Sequence, residues 1–67
     1  MKVSIHYRVL SEFKYLDKSL IQGLKEKALE CWFSGNQRFL MQTSESSYHF
    51  FDVVPHQTKS NCLVVRA

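Results

Sequence analysis

The stretch Asp17–Phe33 constrains the fold of this chain more than any other, because no other segment is long enough to bury a wide apolar face. At about 100° per residue, its apolar side chains fall within about one third of a helical circle. Those side chains are Leu20, Ile21, Leu24, Ala28, Cys31 and Trp32. The pattern predicts an amphipathic helix whose apolar face packs against the β-rich segments on either side of it.

Both ends of this helix carry sequence signals. Asp17 can accept hydrogen bonds from the free amides of the first turn, and Leu16 with Ile21 is typical of a hydrophobic staple. Gly35 lies where helices commonly end in a left-handed residue. Gly23 in the middle costs up to about 1 kcal/mol relative to alanine, which a close approach of the helix to a sheet would explain.

Four segments have the pattern of strands. Lys2–Leu10 alternates apolar and polar residues, which predicts a half-buried strand. Gln37–Thr43 and Tyr48–Val54 flank a polar turn and predict a hairpin, with proline immediately after the second strand. Asn61–Arg66 predicts the last strand.

These elements predict a single α+β domain spanning residues 1–67. The expected architecture is a two-layer β-α-β-β-β fold, with one helix on one face of a four-stranded, mostly antiparallel sheet. In the connection Ser11–Leu16, we expect Phe13 and Tyr15 to fold back onto the core.

One helix covers only one face of such a sheet, so the other face remains available to solvent or a partner. Burying Asp52 without a partner would be costly, so Phe51 and Val53 are expected to point toward the helix. The same alternation places cations and aromatic rings together on the uncovered face. The residues predicted there are Lys2, Ser4, His6, Arg8, Arg38, Leu40, Gln42, Tyr48, Phe50, Cys62, Val64 and Arg66.

Within this set we predict a binding surface, since aromatic and arginine side chains dominate the energetics of protein interfaces. The candidate binding residues are His6, Arg8, Arg38, Leu40, Tyr48, Phe50 and Arg66. The expected partner is a protein or a ribonucleoprotein, and a homodimer through the same face stays open. The alternative is single-stranded nucleic acid, whose bases stack on aromatic rings while cations contact phosphates.

Catalytic and metal sites have little support. The three histidines and two cysteines lack zinc-type spacing, so no metal or other cofactor is predicted. A third hypothesis is a small metal-independent ribonuclease toxin. Two histidines with Arg and Lys would supply its acid and base, and general acid–base chemistry needs two such groups within reach of one phosphate. His6 could meet Arg38 or Tyr48 on the uncovered face, whereas His56 and Lys59 lie in a loop whose position the sequence does not give.

Composition sets the remaining limits. The 67 residues carry a net charge of +3, and the basic residues are scattered, so a nucleic-acid or membrane-surface signal is weak. No apolar run approaches the roughly 20 residues of a membrane span. Two unpaired cysteines and no signal peptide predict a cytoplasmic protein. Small size without catalytic motifs is typical of phage and plasmid accessory proteins, so we predict a non-enzymatic protein that modulates or inhibits a larger machine.

Overall fold

The computed structural model describes residues 1–13 and 16–67. The elements in chain order are β1 (Lys2–Ile5), α1 (Tyr7–Glu12), α2 (Lys18–Phe33), β2 (Arg38–Ser44), β3 (Ser47–Pro55) and β4 (Cys62–Arg66). The strands form one sheet in the order β1-β4-β3-β2. Strand β1 runs parallel to β4, and the other two pairings are antiparallel. The predicted α+β fold with a mostly antiparallel sheet is confirmed. In the described ranges, no helix has the length and apolar character needed to cross a bilayer.

Helix α2 begins and ends where its sequence signals predicted. The Asp17 carboxylate accepts a hydrogen bond from the Leu20 amide at 2.8 Å, which satisfies one free donor of the first turn. Gly35 has a φ of 81°, and the amide of Asn36 donates to the Cys31 carbonyl at 3.1 Å. This is the Schellman arrangement, in which a left-handed residue closes the last turn.

The predicted strand Lys2–Leu10 is wrong in its second half, where the chain forms helix α1. The His6 amide donates to the Val65 carbonyl at 2.9 Å, and the pairing of β1 with β4 stops at this level. Backbone groups after His6 therefore have no strand partner, and a helix satisfies them internally. Val9 is buried in the core, as it would also be in a strand, so alternation alone did not distinguish the two.

The core lies between the sheet and both helices, and Phe51 and Val53 point toward the helices as predicted. Phe51 and Val53 are fully buried, with Phe39, Leu63 and Val65 on the neighbouring strands. They pack with Val9, Leu24, Ala28 and Cys31 from the helices.

The segment between the helices also contributes to the core. The ring centroid of Phe13 lies 5.5 Å from that of Phe51 and 4.7 Å from that of His49, which it meets edge-on. The prediction that Phe13 folds back onto the core is confirmed, whereas Tyr15 lies outside the described residues.

Candidate binding face

The sheet surface away from the helices is uncovered, and we call it the open face. Its members alternate along each strand with the buried residues, so the predicted orientation of β2, β3 and β4 is confirmed. Asp52, which the cost of burial predicted on this side, and Val54 also belong to this surface. The open face consists of Lys2, Ser4, Arg38, Leu40, Gln42, Tyr48, Phe50, Asp52, Val54, Cys62, Val64 and Arg66.

Three large apolar side chains lie together at one end of the open face, and we call Leu40, Tyr48 and Phe50 the apolar cluster. They are 45%, 59% and 62% exposed, and Leu40 lies directly opposite Phe50. The Val53 amide donates to the Gln37 carbonyl at 2.8 Å, and this bond shows which opposing residues of β2 and β3 are hydrogen-bonded pairs. Leu40 and Phe50 therefore form a non-hydrogen-bonded pair, the arrangement that brings cross-strand side chains closest.

A salt bridge borders the apolar cluster. The Arg38 Nε lies 2.8 Å from Asp52 Oδ1, and this hydrogen bond raises the pKa of Arg38 above its usual value. Arg66 lies opposite Asp52 on the other side, in β4. Within residues 1–13 and 16–67, Arg38–Asp52 is the one salt bridge. The cation nearest the apolar cluster is thus neutralised, whereas the guanidinium of Arg66 has no such partner in the described part.

On the side of Asp52 and Arg66 away from the apolar cluster, a groove of about 540 Å³ lies across β1, β4 and β3. Its middle is formed by Ser4, Val54 and Val64, which lie side by side in the sheet. His6 and His56 also line it, although sequence reasoning gave them no common location.

Backbone hydrogen bonds fix the tautomer of both imidazoles. Nδ1 of His6 accepts from the Arg8 amide at 3.2 Å. Nδ1 of His56 accepts from the amides of Thr58 at 3.1 Å and Lys59 at 3.0 Å. A neutral ring that accepts at Nδ1 carries its proton on Nε2, so each ring has a donor at Nε2, and its Nδ1 lone pair is used by the backbone.

The structure brings five of the seven candidate binding residues onto the open face. They are Arg38, Leu40, Tyr48, Phe50 and Arg66. His6 caps α1 and joins Arg66 in the groove instead of meeting Arg38 or Tyr48. The placement of Arg8 on this face is wrong, because the chain turns into α1 once β4 no longer pairs with it.

Sequence reasoning missed the contribution of the β3–β4 loop. His56 follows the proline that ends β3, and its amide donates to the Cys62 carbonyl at 2.9 Å. This bond holds His56 and Gln57 beside the sheet, where both line the groove. A polar residue immediately after a strand-ending proline was the available signal, but the strand order was needed to interpret it.

The two cysteines lie on opposite sides of the sheet, and both are free. Cys31 is in the core, and burial raises the pKa of its thiol. Cys62 belongs to the open face and is half-buried. The part of the chain that the structure describes contains no group of three or more His, Cys, Asp or Glu side chains placed to hold a metal ion.

Comparison of the chain with protein-family models, with curated proteins and with solved structures found no match.

Proposed function

We propose that the protein is a non-enzymatic binding protein that attaches to a larger protein through the apolar cluster and modulates or inhibits it. The observation that carries this proposal is the contiguity of Leu40, Tyr48 and Phe50, each exposed by 45% or more. Single exposed apolar residues are normal on protein surfaces. A contiguous apolar group with a polar border is typical of an interaction site.

The electrostatics beside the apolar cluster favour a protein partner over nucleic acid. Arg38 is paired with Asp52, and Arg8 lies in α1, so neither places an uncompensated charge next to the rings. Binding of single strands requires such charges along the path of the phosphates. A protein pocket instead accommodates the rings of Tyr48 and Phe50, while the salt bridge lies at the polar rim.

A second candidate function is binding of single-stranded nucleic acid. It is favoured by Arg66, which lies on the same face as the two rings and has no salt-bridge partner in the described ranges. Bases would stack on Tyr48 and Phe50 while Arg66 and Lys2 contact phosphates. Such binding would weaken steeply with salt, because phosphate contacts release counterions.

The test compares two exposed phenylalanines. Phe33 ends α2, outside the open face, and is 73% exposed against 62% for Phe50, so Phe33→Ala is a matched control for Phe50→Ala. The parent protein and the two variants are each used to capture proteins from cells of the source. Proteins that bind the parent and Phe33→Ala, but not Phe50→Ala, are then purified. We expect Phe50→Ala to weaken their binding by about 2 kcal/mol or more, or about thirty-fold, as truncated interface anchors do.

Tyr48→Ala, with Tyr7→Ala as its control, repeats the comparison at a second pair of exposed side chains. Equal losses in the control variants would contradict a role for the apolar cluster. Sedimentation of the parent protein as a dimer that Phe50→Ala dissociates would assign the cluster to self-association instead.

For nucleic acid, the measurement is the affinity for a single-stranded RNA at several salt concentrations. A steep slope that Arg66→Ala flattens by about one unit would support the second candidate and count against the first.

A further inference from the structure

We propose that the groove binds a nucleoside monophosphate, with its phosphate held by Arg66 and His6 and its base lying toward His56. This inference concerns the opposite end of the open face from the apolar cluster. It does not depend on the protein partner proposed above.

The phosphate end is built from two donors. The guanidinium of Arg66 has no salt-bridge partner among residues 1–13 and 16–67, and the neighbouring Asp52 is bonded to Arg38. His6 follows the last paired residue of β1, which lies opposite Val65, so it lies next to Arg66. Its Nε2–H is a donor, since Nδ1 accepts from the backbone. Charge-assisted hydrogen bonds from arginine and imidazole are well suited to phosphate oxygens.

Among the described residues, none of those that line the groove is Asp or Glu. The nearest acidic side chain in the sheet is Asp52, which lies opposite Arg66 and whose Oδ1 is bound to Arg38 Nε at 2.8 Å.

The length of the groove indicates a ligand larger than a bare phosphate. The His56 amide bonds to Cys62, whereas His6 lies at the level of Arg66, four residues farther along β4. At about 3.3 Å per residue, the two ends are roughly 13 Å apart along the strand. A compact ion occupies one end only, whereas an extended nucleotide reaches from one end toward the other.

The rest of the groove fits a base better than a second phosphate. Val54 and Val64 lie directly opposite each other and are half-buried, which gives the groove an apolar floor. At the loop end, Pro55 and the ring of His56 add apolar surface, and the amide of Gln57 offers both a donor and an acceptor. A planar base bearing polar edge groups matches this combination.

The same hydrogen bonds argue for binding and against cleavage of a phosphodiester. A general base needs a free lone pair directed at the substrate. In both His6 and His56, the acceptor nitrogen is already used by backbone amides. The groove therefore supplies donors to an anion and has no imidazole base in this arrangement.

The experiment titrates the full chain with AMP, adenosine and inorganic phosphate by calorimetry, while NMR follows the imidazole Nε2 signals. We expect AMP to bind more tightly than either fragment and to shift the signals of both His6 and His56. Arg66→Gln should weaken AMP binding about ten-fold or more, as loss of a hydrogen bond to a charged group does. Lys18→Gln removes the same charge from the helix layer and should change the affinity by less than about two-fold.

A second variant separates the donor from the fold. In His6→Asn, the side-chain oxygen can still cap α1 by accepting from the Arg8 amide, but the Nε2–H donor is gone. We expect weaker binding of AMP with unchanged thermal stability. The proposal is overturned if adenosine binds as tightly as AMP, if AMP leaves the His6 signal unmoved, or if Lys18→Gln and Arg66→Gln weaken binding equally.

Discussion

Phe50 and Phe51 are adjacent in β3, yet the structure places them on opposite faces of the sheet. Phe50 is 62% exposed, whereas Phe51 is 1% exposed, with its ring 5.7 Å from that of Phe39 and 5.5 Å from that of Phe13. Replacing each by alanine tests the register of β3, because a slip of one residue would exchange the two faces. The open face exists only if this register is right.

The expected magnitudes differ several-fold. Phe51→Ala leaves a cavity in the core and should lower the free energy of unfolding by about 3–5 kcal/mol. A chain of this size has a total stability of roughly 3–10 kcal/mol, so the variant will be largely unfolded or close to it. Phe50→Ala removes one cross-strand contact, with Leu40, and should cost about 0.2–1 kcal/mol. Since 1 kcal/mol shifts Tm by about 4–8 °C in so small a domain, the two variants are readily distinguished.

The assay is urea unfolding at 25 °C, followed by far-UV circular dichroism and by the fluorescence of Trp32. Phe51→Leu serves as a milder core change that keeps the protein folded, and its stability should lie between those of the parent and Phe51→Ala. If Phe50→Ala costs more free energy than Phe51→Leu, the assigned faces are reversed. His49, Phe51 and Val53 would then be exposed, and the apolar cluster would not exist.

Three further predictions concern single positions. Gly23→Ala should raise the stability by about 0.5–1 kcal/mol, because the added Cβ would lie 3.7 Å from Met41 Cε, an ordinary contact; a lower Tm would contradict this. Gly35→Val should lower it by about 1–2 kcal/mol, because a φ of 81° is strained for a branched residue; a denaturation midpoint equal to the parent's would show that α2 ends differently. Cys31 should react with a thiol reagent at pH 8 far more slowly than Cys62, since burial and a raised pKa leave Cys31 little thiolate. The reaction rates of Cys62→Ser and Cys31→Ser, each of which keeps the other cysteine, measure the difference.

The sequence by itself determined the elements whose signals are local. Asp17 and Gly35 mark the ends of α2 because capping depends on residues within one turn. The two faces of β3 followed from a period of two and from the cost of burying Asp52. These choices involve interactions between near neighbours in the chain, so the pattern of residues was sufficient to make them.

Tertiary structure decided where β1 ends. Alternation from Lys2 to Leu10 fits a strand throughout, and Val9 is buried in either conformation. Its pairing with β4 stops at Ile5 and Val65, and after the His6 amide has donated to the Val65 carbonyl the chain enters α1. Pairing between segments about sixty residues apart leaves no trace in the local pattern, and this pairing moved Arg8 from the sheet into α1.

Tertiary structure also determines which residues line the groove. His6, His56 and Arg66 belong to three separate stretches of sequence, and each reads alone as an ordinary polar surface residue. They line one groove because β4 lies between β1 and β3, parallel to one and antiparallel to the other. Strand order depends on how the whole chain buries its apolar surface, which is the dominant favourable term in folding. That is a property of the assembled core, and no single segment of the sequence contains it.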